Sequence, residues 1–453
     1  MADMGALSTL GLGSGVLNYD IIDKLKAVDQ DAIIAPLDKK IENGQNKEQV
    51  FQDIVTMLND METSLFELAG PVLYGARSID VTGSDITATV LDGAITQEVD
   101  VQVKQLAKAD IKQTKGFATA DTVVTDTDTD MTITIDGVDT TFTVTAGTTL
   151  TELKDQIRNA MDGQVNVTLL NTGDSTDPYR LILKTTETGA NQAMSFSFSN
   201  DNDFLDLTAT SASLQDAQDA IINVDGVDIT RSSNTINDAI NGVTLTLNSV
   251  STSTNHLSIT QDNEGIADKV QAFVDQYNEL TTKLSNVTKY DPETKETGVF
   301  QGDSTIEDIK RKLTTIVSEI APNGEILANF GIEVDKDGVM SFDRSVFINK
   351  LETDTEIIKA TFAGDTTTPG IFADLKSYLE DATKFGGTLS KYDEYLKDNV
   401  KNLEDQKTKA LERIDSKYEI MAKQFMAYDA MIAKMNASFN TLSMMIDVQV
   451  AKK

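Results

Sequence analysis

The chain contains no cysteine and a single histidine, His256, among its 453 residues. These absences exclude a thiol nucleophile, a cysteine-based zinc site and any Ser-His-Asp triad that does not use His256. His256 lies in a polar stretch, and a histidine acts only with nearby partners, so we interpret it as an incidental surface residue. The composition therefore favours a protein that is not an enzyme.

Net positive charge and long apolar runs are also lacking. The formal net charge is −33, which repels phosphate backbones and anionic membranes. There is no stretch of about 18 apolar residues, and the start of the chain lacks the basic region and apolar core of a secretory signal. We expect no nucleic-acid partner, no membrane insertion and no export by the ordinary secretory route.

Motifs for nucleotides and calcium are present only in part. The glycine-rich stretch Gly11–Gly15 lacks the third glycine at dinucleotide spacing. Asp126, Asp128 and Asp130 alternate as in a calcium loop, but the sixth position holds no glycine and the twelfth holds Gly137 where glutamate is needed. No cofactor, metal or catalytic residue is predicted.

Helical periodicity is strong at both ends of the chain. Apolar residues recur at steps of three and four, which places them on one face of a helix. Upstream of the last run, Leu389, Leu396, Leu403 and Ala410 keep a seven-residue spacing, so one helix is predicted from about Leu389 to Val450. The three runs are Phe51, Ile54, Leu58, Met61, Leu65; Val270, Phe273, Tyr277, Leu280, Leu284; and Ile414, Tyr418, Met421, Phe425, Tyr428, Ile432, Met435, Phe439, Leu442, Ile446.

This spacing is typical of coiled-coil packing. The sequence leaves open whether the third run packs on the other two within one chain or on another chain. Both arrangements are compatible with the pattern.

The middle of the chain, roughly residues 78–261, alternates with the period of two that predicts β-strands. Asp136-Gly137 marks a hairpin turn. Ile135–Asp139 is repeated approximately as Val224–Asp228, and a Thr-led stretch that we interpret as helix follows each copy. Thr149 with Glu152 predicts a capping box at the start of the first helical stretch, and Asn234 or Thr235 is predicted to cap the second. The predicted fold class is α+β, with a discontinuous helical coiled-coil leg from both chain ends and inserted β-rich head domains.

Several segments resemble the flagellar cap protein family, also called flagellar hook-associated protein 2. The similarity lies in Leu10–Gly15, Ile21–Leu25, the two Asp-Gly-Val units and Tyr428–Asn436, and it is most specific in Gly331–Asp343. These segments keep the order and spacing of the family over most of the chain.

The resemblance implies a domain arrangement. Residues 46–78 and 262–453 would form the leg, residues 79–115 and 240–261 the first head domain, and residues 116–239 the second, with its flagellin-type insert motifs. Residues 1–45 would be a flexible filament-binding segment, because glycine without a capped apolar face gives little to offset ordering entropy. Its candidate contact residues are Leu10, Gly11, Leu12, Gly13, Ser14, Gly15, Ile21, Ile22 and Leu25.

The function implied by the resemblance is structural. Such a protein forms a ring of about five copies at the distal tip of the bacterial flagellar filament. There it guides the folding and insertion of exported flagellin, so that filament assembly and motility require it. Its partners would be itself, flagellin with the filament end, and an export chaperone, and it would leave the cell by the flagellar type III route.

Three alternatives remain open from the sequence. Another axial flagellar protein, such as flagellin or a junction protein, would share paired terminal helices and a β-rich outer part. A secreted adhesin would use the β-rich head to bind surface glycans. An enzyme would need a carboxylate pair, which 72 acidic residues supply too freely to be informative.

Overall fold

A computed structural model describes residues 19–199, 202–293, 295–365 and 367–450. The helices are α1 (Tyr19–Leu68), α2 (Leu150–Ala160), α3 (Asn263–Thr288), α4 (Ser304–Val317), α5 (Arg344–Phe362), α6 (Ile371–Thr383) and α7 (Thr388–Val450). The strands are β1 (Arg77–Thr82), β2 (Ile86–Val90), β3 (Gln97–Gln105), β4 (Ile111–Gln113), β5 (Thr129–Ile135), β6 (Val138–Val144), β7 (Val165–Asn171), β8 (Tyr179–Thr185), β9 (Ser195–Phe198), β10 (Ser213–Gln215), β11 (Ala220–Val224), β12 (Val227–Arg231), β13 (Thr235–Ile240), β14 (Val243–Leu247), β15 (Asn255–Gln261), β16 (Ile332–Val334) and β17 (Met340–Phe342).

The chain divides into two compact units. A helical unit combines the two chain ends, up to Gly70 and from Ala267 onward, and a β-rich unit comprises Pro71–Ile266. The predicted α+β class, with a helical part made from both ends, is confirmed. The predicted leg boundary at residue 78 is wrong, because residues 71–78 belong to the β-rich unit and β1 begins at Arg77.

The core of the helical unit contains the first two apolar runs. Phe51, Leu65, Phe273 and Tyr277 are fully buried, as are the other residues of those runs. The ring of Phe273 lies edge-on to that of Phe372 on α6, with 4.8 Å between centroids. Burial of each large apolar side chain contributes about 1.5–3 kcal/mol, so this packing supplies much of the stability of the unit.

Helix α1 lies antiparallel to α7 along much of its length. Ion pairs join Asp38 to Lys407 at 2.6 Å and Asp29 to Lys417 at 2.7 Å, so the numbering rises on one helix as it falls on the other. Ile22 is buried with Ile414 and Tyr418 of α7. The prediction of a flexible segment is therefore wrong for residues 19–45, which are helical. The predicted contacts Leu10 to Gly15 lie outside the described residues.

The β-rich unit contains two domains, each with its own core. In the first, a five-stranded sheet of order β1-β15-β3-β11-β12 and a three-stranded sheet of order β13-β14-β2 share one cluster of buried apolar residues. In the second, sheets of order β10-β4-β8-β7 and β6-β5-β9 enclose another cluster together with α2. Nearly all of these apolar side chains alternate along their strands, as a half-buried sheet requires.

Three sequence predictions fail in this unit. Residues 220–239 were predicted in the second head domain, yet β11 pairs with β3 and β13 with β14, which places them in the first. Strand β4 at residues 111–113, predicted in the first, belongs to the second. Thr235–Ile240 was predicted as helix but forms strand β13. The spacing was ambiguous, because the buried residues Ile236 and Ile240 are four positions apart and such residues share a face in a strand as well as in a helix. The capping box of Thr149 and Glu152 on α2 is confirmed.

Candidate assembly surfaces

Helix α7 changes its environment along its length. Leu389, Leu396, Ile414 and Tyr418 are buried in the helical unit. Met421 and Phe425 are partly buried beside the cluster of Ile22 and Ile414. From Tyr428 onward the same apolar spacing continues, but the side chains are exposed. Among the described residues, the third run is therefore packed within the chain over its first part.

The exposed part forms what we call the distal stripe. Its members are separated by alternating steps of four and three, so they share one helix face. Their exposed fractions are high for apolar residues: Tyr428 58%, Ile432 36%, Met435 57%, Phe439 71%, Leu442 56% and Ile446 54%. A contiguous apolar face of this kind on a protein surface marks an interaction site.

Charge around the distal stripe is sparse. Between Tyr428 and Ile446 the charged residues are Asp429 and Lys434, in a chain whose net charge is −33. Two strongly acidic surfaces repel each other. This segment of α7 can approach another acidic copy with little such repulsion.

Asp29 of α1 fixes the position of α1 against α7 just before the distal stripe begins. Its carboxylate accepts hydrogen bonds from Lys417 Nζ at 2.7 Å and from the hydroxyl of Tyr418 at 3.0 Å. The Lys417 hydrogen bond holds the pKa of Asp29 below its ordinary value. Burial, followed by the hydrogen bond to Asp29, raises the pKa of Tyr418. These polar contacts set the register of the helix pair, as they do in coiled coils.

A groove of 340 Å³ lies between the two helices at this level. Ile33 and Leu37 of α1 line it together with Ala410 and Ile414 of α7, and Arg413 is among the charged residues beside them. On α1 itself, Ile21 and Leu25 are exposed, unlike Ile22. The apolar surface of α7 thus has a smaller counterpart on α1.

Sequence reasoning missed part of this surface. Val28 is 63% exposed and follows Ile21 and Leu25 at steps of four and three, so it extends the exposed row on α1. The spacing was a signal that could have found it. Asp29 and Lys417 were also missed, because a polar pair 388 residues apart in the chain leaves no local pattern.

His256 has partners that the sequence did not indicate. It lies on β15 beside β3, and its Nδ1 is 2.8 Å from Asp100 Oδ1. The hydrogen bond to Asp100 raises the pKa of His256, and the charges of Asp100, Glu98 and Asp225 add to it. The arrangement is an ion pair on an exposed sheet face.

The described part of the chain lacks both a membrane-spanning helix and a metal-binding cluster. Within residues 19–450, apart from the gaps stated above, no helix has the length and apolarity to cross a membrane. The same residues include no group of three or more histidine or acidic side chains placed to hold a metal ion.

The fold and these surfaces define a class: a multidomain α+β protein with a helical unit made from both chain ends, an inserted β-rich unit and an exposed apolar helix face. Comparison with known families identifies it further. The family model "Flagellar hook-associated protein 2 N-terminus" matches residues 14–110, and "Flagellar hook-associated protein 2 C-terminus" matches residues 217–437. Together the two models cover most of the chain. The chain belongs to the flagellar hook-associated protein 2 family, which forms the cap of the bacterial flagellar filament.

Individual relatives agree with this assignment. The flagellar hook-associated protein 2 of Escherichia coli K12 is 28% identical, over 97% of this chain and 98% of its own length. The A-type flagellar hook-associated protein 2 of Pseudomonas aeruginosa is 29% identical, over 94% of each chain. The crystal structure of the D1-D2-D3 domains of the flagellar cap protein FliD from Escherichia coli, 28% identical, matches with a TM-score of 0.63 and covers 77% of this chain and 99% of that one.

Proposed function

We propose that this chain forms an oligomeric cap of about five copies that guides the folding and insertion of exported flagellin at the filament tip. It is required for filament assembly and hence for motility. The proposal rests on membership of the cap family together with one observation, the exposed distal stripe of α7.

The distal stripe supports self-association and attachment to the filament end. A helix face with coiled-coil spacing and large exposed apolar side chains can be covered by another helix. Burying this surface stabilises the complex by about 25 cal/mol for each Å² of apolar surface. Six such residues lie along one helix face, and a contiguous exposed apolar surface of this kind is typical of an interaction site. We infer that the stripe binds helices of neighbouring copies and of the outermost flagellin subunits.

The work of the cap is binding and steric guidance, without bond chemistry. A confined space favours a compact folding chain over an extended one, because it removes extended conformations from the unfolded ensemble. The acidic β-rich domains supply a soluble outer surface. Export by the flagellar type III route and an escort chaperone belong to the same proposal.

The experiment is complementation of a strain from which the gene has been deleted. One variant carries Phe439→Asp with Leu442→Asp on the distal stripe. The matched control carries Asn440→Asp with Ser443→Asp, which adds the same charge at neighbouring exposed positions of the same helix. Filaments are counted by electron microscopy, and flagellin is assayed in the medium.

We expect the deletion strain and the stripe variant to lack filaments and to release flagellin. The control variant should restore filaments. Normal filaments in the deletion strain would contradict the cap function. Normal filaments with the stripe variant alone would show that the cap assembles through another surface.

A further inference from the structure

The two domains of the β-rich unit are joined by two chain segments, residues 106–110 and 216–219, which we call the neck. The segments run antiparallel: the amide of Lys108 donates to the carbonyl of Gln218 at 2.9 Å, and the amide of Gln218 donates back at 3.2 Å. Domains linked in this way usually move relative to each other unless their interface prevents it. Here a loop of the second domain closes against the neck and the first domain.

That loop comprises residues 186–192 and is called the wedge. The hydroxyl of Thr188 donates to the carbonyl of Ser232, in the first domain, at 2.7 Å. The amide of Gly189 donates to the carbonyl of Lys108 at 3.2 Å. The amide of Ala190 donates to Asp219 Oδ1 at 2.7 Å. Three successive residues of the second domain therefore bond to the first domain and to both segments of the neck.

Gly189 permits the close approach. Its φ is +116°, a conformation that residues with a side chain rarely adopt. A Cβ added at this position would lie 2.5 Å from the Cβ of Ser232 and 2.9 Å from its Cα. Any residue other than glycine would push the wedge away from the first domain.

The neck also makes hydrogen bonds that do not involve the wedge. The amide of Ala107 donates to Asn234 Oδ1 at 2.8 Å, and Asn234 Nδ2 donates to the carbonyl of Ala107 at 2.9 Å. Gln218 Nε2 donates to the carbonyl of Leu106 at 2.8 Å. At the end of the first neck segment, the buried carboxylate of Asp110 accepts a hydrogen bond from the amide of Met194, in the second domain, at 2.6 Å.

From these contacts we propose that the two β-rich domains form one rigid body, locked by the wedge at Thr188, Gly189 and Ala190. A hinge needs a few residues whose φ and ψ can change freely. The neck contains no glycine, and its backbone groups are bound from both domains. The inference concerns the β-rich unit alone and does not depend on the proposed function.

Because the chain has no cysteine, pairs of spin labels can be attached at introduced cysteines without further changes. One pair spans the two domains at exposed positions, Thr141→Cys on β6 and Thr230→Cys on β12. The reference pair lies within the second domain, Thr141→Cys with Asn166→Cys on β7. Double electron–electron resonance on the full chain then gives the width of each distance distribution.

The inference predicts that both distributions are equally narrow in the otherwise unchanged chain. Gly189→Ala should broaden the interdomain distribution about twofold and leave the reference pair unchanged. Gly173→Ala is the matched control, because Gly173 also has a positive φ but no atom would lie within 4 Å of the added Cβ. It should change neither width.

A second variant, Thr188→Val with Asp219→Ala, removes two wedge hydrogen bonds without adding a steric conflict at Gly189. It should also broaden the interdomain distribution alone. An interdomain distribution that is already broad in the unchanged chain would overturn the inference. So would narrow distributions in both wedge variants.

Discussion

The two parts of α7 should respond differently to the same kind of substitution. Ile414 is 4% exposed and is buried with Ile22 and Tyr418, whereas Leu442 is 56% exposed on the distal stripe. Ile414→Ala removes buried methylene and methyl groups and leaves a cavity, which costs about 2–4 kcal/mol. Leu442→Ala removes side-chain atoms that are largely in water, so the free energy of unfolding should change by about 0.5 kcal/mol or less.

Urea unfolding followed by circular dichroism measures these changes. The signal at 222 nm reports on the helical unit, and the chain has no tryptophan that would allow the usual fluorescence assay. Hydrogen exchange of α1 and α7 amides adds a local readout, because the cluster of Ile22, Ile414 and Tyr418 can open without global unfolding. Ile414→Ala should accelerate exchange in residues 20–40 of α1.

Assembly should be affected by Leu442→Ala more than by Ile414→Ala. Leu442→Ala should weaken oligomer formation and the restoration of filaments. Ile414→Ala chains that are folded, at a temperature below their unfolding, should still form oligomers and restore filaments. Equal loss of stability in the two variants would refute the division of α7 into a packed part and an exposed part. So would an unchanged oligomer in Leu442→Ala.

Three further predictions follow from charge. The hydrogen bond to Lys417 lowers the pKa of Asp29. The Asp29 carboxylate therefore stabilises the fold above its ordinary pKa of about 3.9, and this stabilisation is lost as the pH falls through the lower pKa of the folded state. In acid unfolding, Asp29→Asn should lack this part of the pH dependence. The pKa of His256 is raised by Asp100, so its contribution is complete below about pH 6.5 and lost as the pH rises through the folded value. The NMR titration of this single histidine should therefore have its midpoint above about 6.5, and Asp100→Asn should lower that midpoint. Because the net charge is −33, copies of the chain repel one another, and added salt screens that repulsion. Self-association measured by analytical ultracentrifugation should therefore become stronger as salt is added. If ion pairs held the copies together, added salt would weaken the association instead.

The long helices were accessible from sequence because their pattern is long. Ten apolar positions from Ile414 to Ile446 keep one register, and no other secondary structure fits such a run. Whether that face packs on its own chain was not accessible, since the spacing of a coiled coil is the same in either case. The structure separates the buried residues from the exposed ones near Phe425.

The helix before residue 45 was missed for a different reason. Its buried residues, Ile22, Ile34 and Ile41, are separated by twelve and seven positions, and Pro36 lies between them. Proline inside a helix removes a hydrogen bond and argues against helix locally. Packing and ion pairs with α7 offset that cost, and these contacts involve residues far away in the chain.

The domain assignment of residues 220–239 failed because sheet pairing is not local. Hairpin signals join neighbouring strands, and β11 with β12 was recognisable in that way. Val224 pairs with Val101, more than a hundred residues away in the chain, and no turn pattern in the sequence indicates this pairing. The wedge at Gly189 was inaccessible for the same reason, because its contacts depend on how two domains meet.

Photo-crosslinking from the distal stripe can show whether this face of α7 contacts neighbouring subunits during filament growth. A photoreactive phenylalanine analogue replaces Phe439 in cells that are growing filaments, and in parallel cells it replaces Asn440, the next residue on the same helix. We expect crosslinks from position 439 to a second copy of this chain or to flagellin, and far fewer from position 440. Crosslinks that are absent at 439, or equally abundant at both positions, would contradict the assignment of the distal stripe as the assembly surface.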